Sequence, residues 1–404
     1  MDITTPCCEL AAEAETISSF GFTYHHTIAN VDHNRWAHIV PEANLLMQPD
    51  YLQLVEEMQT GKMEFRYVTV QREGNTVGVL YFQVVRFEAA QLMNYFPNGQ
   101  GLVLRSTKAV SEKILDAISL KLLVTGNVFM TGESGMYFTH DIDKATRGKL
   151  LRRAISLLLK VDTTIKAALV SDLYAPKSAF DEGFLRTGYS EITVESDMGL
   201  LLRDEWHTME DYLSAMSSKY RVRAKKVYSL CAENGVTHKE LSADEIAAQS
   251  ADIYNLYKKV MGNADFKLAE LTQDYFYKQK LQLPNNYKLF AYYREGKMIG
   301  FISAFHIGRR VEVHYTGMNH EVTKPIHLYQ HMMYDMVAYG IEHRAEKLHF
   351  GRTAPEIKST IGATPAPMYG YLKHRSGVFN TLFTKPYTRN LKPKQYELRS
   401  PFKG

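Results

Sequence analysis

The chain has 404 residues, 45% of them hydrophobic and 23% charged, the make-up of a globular protein of about two domains and not of a disordered, collagen-like or disulfide-stapled chain. Three cysteines, the adjacent Cys7 and Cys8 and the distant Cys231, exclude a disulfide framework and a cysteine-rich zinc site and fit a reducing cytosol. The net charge of +4 gains meaning only from its placement, because Tyr371 to Gly404 holds eight cations against the single acid Glu397.

The residues after Met1 lack the basic start and apolar stretch of a signal peptide, and no run approaches the ~18 apolar residues of a membrane span. The expectation is a cytoplasmic protein that is soluble or peripheral on the inner face of a membrane.

Residues 65–85, FRYVTVQREGNTVGVLYFQVV, read as a strand, a Glu-Gly turn and a second strand. The same pattern returns 222 residues later at 287–307, YKLFAYYREGKMIGFISAFHI, so that Arg72-Glu73-Gly74-x-x-Val77-Gly78 matches Arg294-Glu295-Gly296-x-x-Ile299-Gly300. After the first hairpin the spacing predicts a strand at 121–124, a helix over 149–160 and a strand at 167–170. After the second it predicts a strand at 311–315, a helix over 328–343 and a strand at 347–351. A duplicated αβ domain accounts for both runs.

Between the copies, 219–226 places five cations in eight positions of a predicted helix. This reads as a solvated face or as a phosphate contact. The expected organisation is an N-terminal domain over 1–205, a basic helical linker over 206–226, a C-terminal domain over 227–380, and a basic tail over 381–404.

The order hairpin, strand, helix, strand, with x-E-G-x-x-[VI]-G in each hairpin, resembles the GNAT acyltransferase fold. Two copies in tandem, with Phe350-Gly351 ending a strand and Lys358 in a short downstream helix, look like the FemAB-like branch of that superfamily. The resemblance implies an α/β fold of two tandem GNAT-like domains with mixed, mostly antiparallel sheets. It also implies an N-acyltransferase whose better-preserved second copy is active. The donor it implies is acyl-CoA or another acyl thioester, a co-substrate and not a resident cofactor, and the acceptor is a small-molecule or lipid amine, as in bacterial enzymes of lipid synthesis. FemAB-like relatives also include aminoacyl transferases that use aminoacyl-tRNA on peptidoglycan precursors. A non-catalytic binding module is the reading from a different class.

GNAT enzymes that use acetyl-CoA carry R-x-x-G-x-G/A where the central helix begins, because glycine lets backbone N–H groups close round a pyrophosphate. The first copy offers only Arg147-Gly148-Lys149, and the second, His320 to Pro325, has no glycine. Arg147 and Lys149 are the donor-binding candidates of the first copy. In the second, Thr353 as a cap, Pro355 in the first turn, and Arg352, Glu356, Lys358 and Ser359 around it make an anion or donor site.

Acyl transfer to an amine needs a base for the ammonium and an acid for the leaving group. Strand alternation puts Glu312 and His314 on one face and Tyr315 on the other. His314 is the expected base, with Glu312 orienting it or binding the ammonium and Tyr315 as an acid; His306 and His349 are rivals, and packing is the alternative for each. His327, His331 and Asp335 fall four apart on the predicted helix but lack the Glu of H-E-x-x-H, so a solvated face is expected and no metal. The tail interleaves cations with aromatic residues, which suits an anionic membrane surface meeting residues 371–404, or tRNA, or packing on its own domain.

Overall fold

The computed structural model describes residues 17–88, 119–262, 269–390 and 396–403. Its strands are β1 (Phe20–His25), β2 (Glu64–Arg72), β3 (Asn75–Glu88), β4 (Ser119–Thr125), β5 (Met136–Phe138), β6 (Ile165–Tyr174), β7 (Ser190–Leu201), β8 (Thr237–Glu240), β9 (Tyr287–Arg294), β10 (Lys297–Ile307), β11 (Arg310–Met318), β12 (Lys347–His349) and β13 (Thr364–His374). The chain forms two compact units: Met1–Val194 with Asp265–Glu270 and Met368–Pro393, and Glu195–Ala264 with Leu271–Pro367 and Lys394–Gly404.

Both hairpins form where the repeat places them. Glu73 and Gly74 turn at φ of 51° and 80°, Glu295 and Gly296 at 52° and 73°, the paired positive angles of a tight turn that matches strand twist. The equivalence extends to an irregularity. Val70 pairs with Gly78 and Gln71 with Thr76, which skips Val77; Tyr293 pairs with Met298 and Tyr292 with Gly300, which skips Ile299. The two skipped residues stand at the same place in the repeat.

In the first unit the order is β1-β2-β3-β4-β6 and then Met368–His374 of β13, antiparallel except for the β4/β6 pair, with β5 beside β3. In the second it is β8-β9-β10-β11-β12 and then Glu195–Leu201 of β7, antiparallel except for β11/β12. Each parallel pair needs a crossover, supplied by the helices Lys144–Val161 and Leu328–Glu342. The first is amphipathic and buries Leu150, Leu151, Ala154, Ile155 and Leu158. The second is buried almost all round, including Leu328, Met332, Met333, Met336 and Val337, because the helix Ser218–Glu233 packs on it through Ala224, Val227 and Cys231.

Three expectations need correction. The last strand of each sheet comes from the other end of the sequence, so boundaries at 205 and 227 cut through elements that fold together. The basic segment 206–226 is part of the second unit and not a linker: its apolar face joins that core, while Lys219, Arg223, Lys225 and Lys226 are exposed.

The expected domain 227–380 also loses its end, since Met368–Pro393 belongs to the first unit, and of the readings of 371–404 packing on the protein itself is what its described residues show. Tyr371 is a core residue of the first unit, where Lys373 Nζ donates to Thr187 O at 2.7 Å and Arg375 donates to the carbonyls of Leu159 and Asp162. In the second unit Phe402 packs on Trp206 and Tyr212, and Ser217 N donates to Pro401 O at 2.9 Å. Among the described residues no helix is long and apolar enough to cross a membrane.

Phe402 also fills the space over Gly362, where a Cβ would meet its ring at 2.2 Å. Phe402→Ala is therefore expected to cost about 3 kcal/mol, the low end for losing a packed phenyl group. Chemical denaturation of the two proteins checks this; an unchanged midpoint would mean that the terminal segment lies on the unit without stabilising it.

Candidate active site

The second unit gathers its polar groups on the face of the sheet away from the helix Leu328–Glu342. Leu348 is buried against Gly340 of that helix, so its neighbours in β12, Lys347 and His349, point the other way. Pairing of β12 with β7 sets His349 opposite Gly199 and pairing with β11 sets it opposite Glu312. The result is a row of three titratable side chains, Asp197, His349 and Glu312.

His349 Nδ1 lies 2.6 Å from Asp197 Oδ2, and His349 Nε2 lies 3.9 Å from Glu312 Oε1. A carboxylate can only accept, so Nδ1 carries a proton and donates it to Asp197, which leaves Nε2 as the ring nitrogen turned toward Glu312. Exposure is graded along the row: the side chain of Asp197 is 1% exposed, His349 12% and Glu312 15%. Burial pushes the Glu312 carboxyl up from its ordinary range, opposed by His349 and by Arg310, whose guanidinium is 4.0 Å away. A gap of 3.9 Å is too long for a hydrogen bond and suits an ammonium or a water that touches both groups.

His314, the expected base, lies elsewhere on β11. Its Nε2 is 3.4 Å from Tyr275 Oη, and its ring packs among Tyr275, Phe305, Tyr287 and Tyr315 at 4.3 to 6.4 Å between centroids. Tyr315 was expected on the opposite face, yet it meets the same Tyr275 ring. The cause is a register shift between Ile302 and Ala304 in the β10/β11 pair, which interrupts strict alternation. The rival His306 is 3.0 Å from Tyr339 Oη through Nδ1.

The expected anion site round Pro355 has a different form. The helix Pro355–Ser359 is only five residues long, and the residue before it is Ala354 at φ 52°, with no side-chain cap. Thr353 and Glu356 are exposed, and Arg352 lies in the preceding loop. Glu356 Oε1 accepts from Glu397 N at 3.2 Å, and Ser359 Oγ accepts from Arg399 N at 2.9 Å. Lys358 turns inward: Nζ donates to Phe350 O at 2.5 Å and Gly351 O at 3.1 Å, which ties down the chain just beyond His349.

In the first unit Arg147 donates to the carbonyls of Ile142 at 2.7 Å and Thr139 at 3.2 Å. The Asp143 carboxylate accepts from Thr146 N at 2.9 Å and so occupies the helix N-terminus that a pyrophosphate would need. Gly148 serves packing, since a Cβ there would meet Phe180 O at 2.1 Å. Lys149, one turn along, is half-buried on the same helix.

No family model matches the sequence, and no curated protein matches it. Solved structures do match. FemX is 13% identical, with 90% of this chain and 99% of that one aligned at a TM-score of 0.53. A tandem GNAT protein from the clavulanic acid biosynthesis pathway is 8% identical over 88% of this chain and 99% of its own, at 0.51.

The chain has the tandem GNAT fold.

Within that fold Glu312 and the rival His349 lie on neighbouring strands of the second copy, and the row they form includes Asp197, 152 residues from His349, which the sequence did not single out. The available signal was one acid inside an otherwise apolar strand end, Asp197-Met198-Gly199-Leu200. A second cluster escaped the sequence reading too. His331 and Asp335 face the interior of the second unit and not solvent, while His327 caps the helix in a left-handed conformation at φ 54°.

Burial lowers Lys358 to about 7, with Asp197 and Glu195 opposing that effect. In the unfolded chain its ammonium titrates near 10.5, so between these values the unfolded chain holds a proton that the folded one lacks. Stability therefore rises with pH across that window, by up to about 1.4 kcal/mol per pH unit for this one group. Lys358→Met should remove that part of the slope between pH 7 and 9 and cost about 1–3 kcal/mol by leaving two carbonyls unpaired. Denaturation midpoints of both proteins across this range check it; parallel pH profiles would show a Lys358 that stays charged in the fold.

Proposed function

We propose that the second unit transfers an acyl group from an activated donor to an amine, with His349 as general base. The observation that carries this is the Asp197–His349–Glu312 row in a tandem GNAT fold. Asp197 holds the imidazole in the tautomer that frees Nε2, and Glu312 receives the ammonium of the acceptor. His349 Nε2 takes one proton from the ammonium and releases it to water, the freed amine attacks the acyl carbon and forms the C–N bond, and Nε2 then takes the second proton from that nitrogen as the C–S or C–O bond to the carrier breaks. The proton then passes from His349 to the leaving thiolate or alkoxide. His314 and Tyr315, with Tyr275, wall the adjacent part of the sheet face, and Arg352, half-buried in the loop beyond β12, is a candidate for an anionic part of the donor.

For the donor, an acyl thioester such as acyl-CoA is the first reading, with a small or lipid amine as acceptor. A second reading, an aminoacyl ester carried by tRNA, is favoured by a specific observation: neither copy has the glycine cradle for a pyrophosphate, and Asp143 fills the helix end where one would bind.

The test offers the purified protein a panel of acyl-CoAs and, separately, aminoacyl-tRNA, each with primary amine acceptors, and follows thiol release or tRNA deacylation. His349→Ala should lower turnover by about 10²–10⁴, and Glu312→Gln should raise the KM for the amine more than it lowers kcat. His314→Ala should retain near wild-type turnover. Should His314→Ala abolish activity while His349→Ala spares it, the base is His314 and the proposed row is structural.

A further inference from the structure

We propose that His238, His331 and Asp335 form a three-ligand site for a zinc-like divalent cation, with a fourth coordination position facing the cavity beside them. The site lies on the other side of the sheet from His349 and has no part in the acyl-transfer reading.

The three side chains come from two elements of the second unit. His331 and Asp335 stand one turn apart on the helix Leu328–Glu342, and His238 comes from β8, the edge strand. Asp335 Oδ2 is 3.2 Å from His331 Nε2 and 4.0 Å from His238 Nδ1, and the three ligand atoms all lie within 4.8 Å of one another. Tetrahedral zinc with bonds of 2.0–2.1 Å places its ligand atoms about 3.3 Å apart, so one pair already stands at that spacing. The others reach it by a small rotation of His238 in the plane of its stack on Tyr292, with its side chain 46% exposed.

The donor chemistry selects the ion. Two imidazoles and one carboxylate suit zinc and its first-row neighbours, not calcium or magnesium, which prefer oxygen alone. Supporting groups are in place as well. Tyr292 Oη donates to Asp335 Oδ2 at 2.7 Å and Tyr228 Oη to Oδ1 at 3.4 Å, which fixes the carboxylate as an outer shell does. The Tyr292 ring also stacks on His238 at 5.3 Å.

His331 and Asp335 are held in the interior and are not a solvated helix face: their side chains are 9% and 12% exposed, and Asp335 Oδ2 stands within 4.0 Å of a nitrogen of both imidazoles. Beside the cluster is a cavity of about 430 Å³ lined by Tyr228, Ser229, Ala232, Val236, His238 and His331. A cation held by the three ligands would have its open position on that side, where a water or a ligand's anionic group could complete the shell.

The experiment is zinc uptake by the full-length protein, measured by equilibrium dialysis with elemental analysis, on the wild type and on His238→Ala, Asp335→Asn and the control His26→Ala. His238 is exposed at a sheet edge, so its variant keeps the fold even if a change at the buried helix positions does not. The wild type and His26→Ala should take up one high-affinity equivalent, and His238→Ala should weaken it by at least 10-fold. Cobalt, used as a spectroscopic probe, should give the strong visible bands of a four-coordinate ion in the wild type and lose them in His238→Ala. Equal uptake by the wild type and His238→Ala, or no high-affinity uptake by the wild type, overturns the site.

Discussion

Leu348 is completely buried between two paired strands and a helix, and the position of every polar group in the candidate active site follows from that burial. β12 has only three residues, so it has no length over which to average a register error. Sliding it by one position would put His349 into the apolar layer and Leu348 among the carboxylates, and each exchange would cost several kcal/mol in desolvated polar atoms and exposed hydrocarbon. Lys358 secures the far end by holding the two carbonyls that follow the strand. The geometry of the Asp197–His349–Glu312 row is therefore a by-product of the requirement to pack one leucine, which is an economical way to hold an imidazole between two acids.

Burial in this region reverses what the same residue types do at a surface. A lysine near a helix start, read as a phosphate ligand, spends its donors on the protein's own backbone. An arginine in the place of a phosphate-binding motif does likewise in the first unit. His331 and Asp335, read from the sequence as part of a wet helical face, lie against a second helix that covers them, while His327 of the same spacing stays exposed. Arg147 and Lys358 find their partners within eight residues of chain, whereas His331 and Asp335 are covered by a helix about a hundred residues away, and in each case a charge drawn inward must find partners.

This explains what could be read from the sequence. The hairpins, the crossover helices and the parallel strand pairs are local objects whose turns and periodicities are written within about forty residues, and they form where expected. The strands that complete the sheets, Glu195–Leu201 and Met368–His374, are indistinguishable in pattern from any other apolar strand. Their partners are set by the three-dimensional path of the chain. Asp197 and His238 take their roles from such distant pairings, and Tyr315 departs from strict alternation because β11 carries an extra residue there, His314 and Tyr315 together facing the single Ser303 of β10.

The bulges at Val77 and Ile299 bear on the history of the molecule. A residue inserted into a strand cannot be removed afterwards without inverting every side chain beyond it, so a deletion there would turn a packed face outward in a single step. Substitutions carry no such penalty: outside the shared Arg-Glu-Gly turn and the glycine after the bulge, the two hairpins differ at nearly every position. An irregularity of backbone count thus behaves as a ratchet. It is held more firmly than the side chains around it, and in this chain it recurs at the same place in both hairpins.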